Sequence, residues 1–218
     1  MLRLPVFASL AVAATLAAGP ACADTYRLDP VHTRVAFIVG HAGLSQAIGT
    51  FSGVSGRLEF APAHWADARV DLALPVASLA LGDADWNRRV LDGTFLDAGD
   101  FPQAHFLSTA VEPAGADRAT VTGTLTLRDV ARPVVLDVRL NAVKRHPVTR
   151  RRSIGFSATA TVSRRAFGID AWPNVIDDEV QLLIEVEGLR DDAAPAPAAP
   201  ASTPASASAG EPDDAADP

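Results

Sequence analysis

Histidines, two acid clusters and one basic run are the residues of this 218-residue chain with chemistry to offer. His32 and His41 lie nine positions apart. On one unbroken strand that odd offset sends them to opposite faces, so they make poor joint metal ligands. His64, His105 and His146 have no ligand spacing. "DAD" at 83–85 and "DDE" at 177–179 pair carboxylates, as acid–base catalysis or calcium binding requires. Neither has the loop spacing of a calcium site. Both adjoin element starts, where acids cap and solubilise. "GVSGR" at 53–57 is no nucleophile elbow, because the second glycine falls one residue early. "KRHPVTRRR" at 144–152 reads either as a charged hairpin loop or as a surface drawn to anionic lipid, at about 1 kcal/mol per cation near the membrane. No catalytic, metal or cofactor set emerges, so the chain reads as a binding protein rather than an enzyme.

The elements that must position these groups are strands. In "TVTGTLTLRDVARPVVLDVRL" (120–140), Thr120, Thr122, Thr124 and Thr126 share one parity, and Val121, Gly123, Leu125 and Leu127 the other. The same alternation recurs at 33–41, 54–60, 68–75, 104–111, 134–141, 153–162 and 179–189, which makes eight strands. One apolar and one polar face per strand means antiparallel pairing. Closure into a barrel removes the exposed edges. The fold class is therefore all-β, an eight-stranded antiparallel barrel. Its one long connection, 76–103, carries a short helix at 83–91 with Asp83 as N-cap, and Pro102 ends the segment. Gly56, Gly123, Ala158 and Ala160 are small inward residues. The glycines fit a bulge or corner as well as a void, whereas the alanines favour an elongated cavity.

The two ends read differently. Arg3, the apolar run Val6–Ala18 and "ACA" at 21–23 form a secretory signal, too short to span a bilayer, with cleavage after Ala23. Cys22, the only cysteine, leaves with it. Residues 191–218, rich in Ala, Pro, Ser and Asp, read as a disordered tail. The domain is 24–190. It holds 20 acidic and 18 basic residues, too even a balance for a nucleic-acid partner. The signal implies export.

"YRLDPVHTRVAFIVGHAGLSQAIGTFSGVSGRLEF" (26–60), "FLDAGDFPQAHFLST" (95–109), "VTGTLTLRDVARPVVLDVRL" (121–140), "SRRAFGI" (163–169) and "DDEVQLLIEVEG" (177–188) together resemble the YceI-like family of secreted proteins. The resemblance implies a lipocalin-like, extended barrel that holds a polyisoprenoid, a prenyl quinone or prenyl phosphate, in an apolar channel as carrier or store in the periplasm. A homodimer and transient contact with a membrane surface are compatible with it. One departure stands out. Where the family carries His-Leu-Arg-Ser-x-Asp-Phe, this chain reads "RVLDGTF" (89–95), with Arg89 in place of the histidine.

On this reading the channel is lined by Val35, Phe37, Val39, Leu58, Phe60, Leu72, Phe106, Leu125, Leu136, Phe156, Ala158, Leu182 and Ile184. Trp86 and Phe95 close one end, and His41 and Arg89 lie near the head group. An outer-membrane barrel is disfavoured by Arg, Asp, Glu and Thr on the outward parity and by few aromatics for interfacial belts. A filled barrel that binds a protein partner gives the same alternation and stays open as the alternative.

Overall fold

A computed structural model describes residues 23–193. Of the expected signal peptide (1–23) and the expected tail (191–218), residues 1–22 and 194–218 lie outside the described residues.

Ten strand segments form one antiparallel sheet. They are β1 (Asp24–Leu28), β2 (Arg34–His41), β3 (Ser45–Phe51), β4 (Ser55–Phe60), β5 (Arg69–Pro75), β6 (Gln103–Pro113), β7 (Arg118–Leu127), β8 (Val130–Arg145), β9 (Arg152–Ser163) and β10 (Ile176–Arg190). Ten segments make eight barrel strands because two strands are broken. β1 pairs with the end of β10 (Tyr26 opposite Arg190), and β2 continues along the same β10 (Val35 opposite Ile184). β4 and β3 pair in turn with β1 and β2. The pairing of β1 with β10 closes the cylinder, so the eight-stranded antiparallel barrel is observed.

The break between β1 and β2 has a local cause. Pro30 has no N–H to give to a ladder. Asp29 takes over, its carboxylate accepting the Val31 N–H at 2.9 Å and facing His32 Nδ1 at 2.8 Å. Buried Thr33 then stitches the chain back, donating its hydroxyl to the Glu187 carbonyl at 3.2 Å. His32 and His41 are therefore on different segments, and only His41 is on a strand.

The apolar parity points inward throughout. Val121, Val134 and Phe156 are buried, while Leu183 and Val135 are apolar residues of the opposite parity and point outward. Arg128 and Asp129 both take positive φ, 52° and 57°, giving the two-residue turn that matches strand twist between β7 and β8. Helix α1 spans Ala84–Leu91, and the Asp83 carboxylate accepts the Trp86 N–H at 2.8 Å.

The glycines resolve differently from Ala158. At Gly123 a Cβ would meet the Phe106 ring, and the Leu107 carbonyl at 2.7 Å. At Gly56, where φ is 143°, it would meet the main chain of Asp71 and Leu72. Both are close-approach sites, one under an aromatic ring and one against β5, and neither leaves a hollow.

The end of the barrel bearing β1 is solid. Tyr26, Phe60 and Ile154 are almost fully buried there. The Phe60 ring stands edge-on to Trp65 at 4.9 Å and to Phe156 at 5.3 Å. Such pairs add roughly 0.5–1.5 kcal/mol each to the burial term.

Candidate functional site

Above that floor the inward side chains do not meet. They surround a cavity of about 360 Å³, within the roughly 300–1,000 Å³ of small-molecule pockets. β10 shows its extent, since Ile176, Val180, Leu182, Ile184 and Val186 all line it. All the channel residues named from the sequence face this space: Val35, Phe37, Val39, His41, Leu58, Phe60, Leu72, Trp86, Arg89, Phe95, Phe106, Leu125, Leu136, Phe156, Ala158, Leu182 and Ile184. Ala158, opposite Val138 and Ile184, is among them. Its partner in the sequence reading, Ala160, packs against the core but does not line the cavity.

The lining is apolar apart from Thr33, His41, His105, Arg89 and Arg164 and the edges of the tryptophans. Among the described residues no carboxylate lines it. The chain's three tryptophans, Trp65, Trp86 and Trp172, all do.

The end opposite the aromatic floor is built by α1, the turn after it and the loop between β9 and β10. His41, at the end of β2, stands edge-on to Trp86 at 6.2 Å. Phe95 stands edge-on to Trp172 at 5.7 Å. Arg89 lies over the Trp172 ring, 5.7 Å from its centroid. A second, open groove adjoins the cavity here, lined by Asp85, Arg88, Arg89, Asp92, Thr94, Phe95 and Trp172. Arg89, Phe95 and Trp172 belong to both. Apolar cavity and polar groove thus meet at one point, and Arg89 stands there.

Arginines fix these loops through main-chain carbonyls. Arg164 is 6% exposed. Its Nε donates to Asp177 O at 2.9 Å, Nη1 to Ile169 O and Ala171 O at 2.8 Å, and Nη2 to Ile176 O at 2.8 Å. Burial, followed by the neighbouring Arg165, pushes its pKa down from the usual guanidinium range, yet arginine keeps its proton in proteins. Arg132 Nε reaches Ala166 O at 2.9 Å, and Arg128 Nη1 reaches Gly168 O at 3.1 Å. Asp178 accepts the Arg165 N–H at 3.0 Å and the Ser163 hydroxyl at 2.8 Å, and the first of these leads in lowering its pKa.

Sequence reasoning missed Arg164 and Trp172. The run "SRRAFGI" was legible as a motif, but Arg164's partners are carbonyls of residues 169–177, which only the folded loop brings together. Nothing in the spacing of Trp172 pointed inward.

One further cluster lies away from the cavity. Ligand atoms of Asp29, His32 and Glu187 lie within 4.8 Å of one another. The Asp29 carboxylate raises the His32 pKa. Partial burial works upward on Asp29, but hydrogen bonds from His32 and the Val31 N–H outweigh it and lower its pKa.

Comparison with known proteins places this geometry. A UPF0312 protein of Pseudomonas putida strain W619 is 35% identical over 187 residues, covering 84% of this chain and 96% of its own. The crystal structure of Burkholderia cenocepacia BcnA superposes with a TM-score of 0.67 at 27% identity, covering 73% of this chain and 98% of its own. A Saccharophagus degradans domain described as polyisoprenoid binding and implicated in plant cell wall breakdown shares the fold, with a TM-score of 0.59 at 18% identity, covering 76% and 98%. The family model of the YceI-like domain matches residues 26–188. The chain belongs to the YceI-like family.

Proposed function

We propose that this barrel holds one isoprenoid chain in its cavity and serves as a carrier or store in the periplasm, without catalysing a reaction. The observation that carries the reading is the cavity itself: about 360 Å³, apolar along most of its walls, with Arg89 where it meets the groove. An alkyl chain gains roughly 0.8 kcal/mol for each CH2 withdrawn from water. Ten such groups outweigh the lower estimates of the cost of association. The tail needs no charged partner, and His41 and Arg89 stand where a head group would emerge. The polyisoprenoid-binding domain of the same fold supports the ligand class. The amino-terminal signal read from the sequence supports the location.

The test is extraction. Protein purified from a polyprenyl-rich host is treated with organic solvent and the extract is analysed by mass spectrometry. The reading expects a polyprenyl lipid in near-stoichiometric yield. Repeated preparations without bound lipid, and no uptake of added prenyl quinone or prenyl phosphate, would leave a ligand-free interaction module as the better description.

A further inference from the structure

We infer that the ligand's head group is anionic, a phosphate monoester or a carboxylate, and that Arg89 selects it over a neutral head. This deepens the isoprenoid reading and rests on it.

An amphiphile with its tail in the cavity presents its head where cavity and groove join, and Arg89 is the cation shared by both. Its neighbour Arg88 is paired with Asp85 at 2.6 Å. Asp92, the other carboxylate of the groove, turns into its own loop, accepting the Thr94 N–H at 3.2 Å and the Thr94 hydroxyl at 3.3 Å. Arg89 makes no ion pair among the described residues. Its contact is the face of Trp172. That stacking steadies the guanidinium plane and leaves its N–H edge free for an acceptor.

Arg164 adds a second positive charge on the cavity side. Asp170, Asp177 and Asp178 act on it through space. All four of its hydrogen bonds go to neutral carbonyls, so its charge is not paired at contact. Two arginines and no carboxylate line the space among the described residues. A phosphate or carboxylate takes two N–H donors of one guanidinium side by side, whereas a hydroxyl takes one and neutralises nothing.

The experiment titrates lipid-free protein with farnesyl phosphate, farnesoic acid, farnesol and inorganic phosphate, following tryptophan fluorescence and calorimetry. The three lipids share one tail, so their differences report the head. At least one anionic lipid is expected to bind roughly tenfold tighter than farnesol. The gap should narrow at 1 M salt, where screening shortens to about 3 Å. Inorganic phosphate should not bind at the same concentrations, because it lacks the tail. Arg89→Gln should bring the anionic and neutral affinities to within about threefold of each other, and Arg89→Lys, which keeps the charge but loses the planar fork, should keep only part of the preference.

If none of the lipids binds, the isoprenoid reading itself fails. If the lipids bind but farnesol equals or exceeds both anions, the anionic selection is wrong. If inorganic phosphate binds as tightly as farnesyl phosphate, the site recognises a free anion and the proposal falls. If Arg89→Gln keeps the full preference, Arg89 is not the selecting residue. The lysine variant, with a like charge at the same exposed position, guards against a folding defect in the glutamine variant.

Discussion

Replacing Ala158 with tryptophan asks whether the space beside β9 is hollow. Ala158 is 8% exposed and sits between Val138 and Ile184 on the inner face. In a filled interior, a side chain this large would strain its neighbours at about 1–3 kcal/mol. For a domain of this size that is a fall in Tm of about 2–12 °C. In a cavity of about 360 Å³ the indole has room. It would bury on the order of 150–250 Å², and the Tm of the lipid-free protein should hold or rise. Binding should respond the other way. Displacing one isoprenoid unit of about five carbons forfeits about 4 kcal/mol, or roughly a thousandfold in affinity. Thermal unfolding of the lipid-free variant and calorimetric titration with an isoprenoid supply the two readings. A fall in Tm of more than about 2 °C with no lipid present, or an unchanged affinity, would refute the placement of the cavity.

Gly123→Val, on the same inward parity, should behave oppositely. The Phe106 ring and Leu107 carbonyl already fill that space, so Tm should fall by about 2–12 °C in a thermal melt. Arg164→Met strands four main-chain carbonyls and should cost at least about 3 kcal/mol in denaturant unfolding. Arg164→Lys should rescue little of it, since a single ammonium cannot reach all four. His32 and Asp29 predict a pH dependence. The folded His32 pKa is raised, so its contribution is full below the unfolded value of about 6.5 and is lost as pH climbs through the folded value. The Asp29 pKa is lowered, so its contribution is present above about 3.9 and is lost as pH falls through the folded value. The Tm difference between wild type and His32→Gln should therefore be larger at pH 5.5 than at pH 8.5. Equal differences at both would show that the pair is not coupled to folding.

Much of the barrel was legible because half-buried antiparallel strands write their period into the chain. The 120–140 stretch shows this most clearly: β7 and β8 alternate as read, although β8 begins at Val130, directly after a two-residue turn, and not at residue 134. β3 escaped for a physical reason. Its inward positions are Ala47, Gly49 and Phe51, and its most apolar residue, Ile48, points outward at 63% exposure. Gly49 has to be small because the Phe37 ring and Leu81 lie over it. A strand that accepts a neighbour's bulk in this way looks like a loop in the sequence. β1 is only five residues long and stops at a proline, too little for alternation to register. The strand residues of the cavity lining followed from parity, whereas Trp86, Arg89 and Phe95 lie in the long connection, where no parity applies. The loop arginine Arg164 did not follow from it either, because its role depends on where main-chain carbonyls come to rest.

The most direct test of the central claim is native mass spectrometry of the lipid-free protein titrated with a polyprenyl lipid. A barrel with one apolar cavity and one polar mouth predicts a single mass shift corresponding to one lipid per chain, saturating and absent from Ala158→Trp. A spectrum that keeps only the bare protein mass at saturating lipid would contradict it.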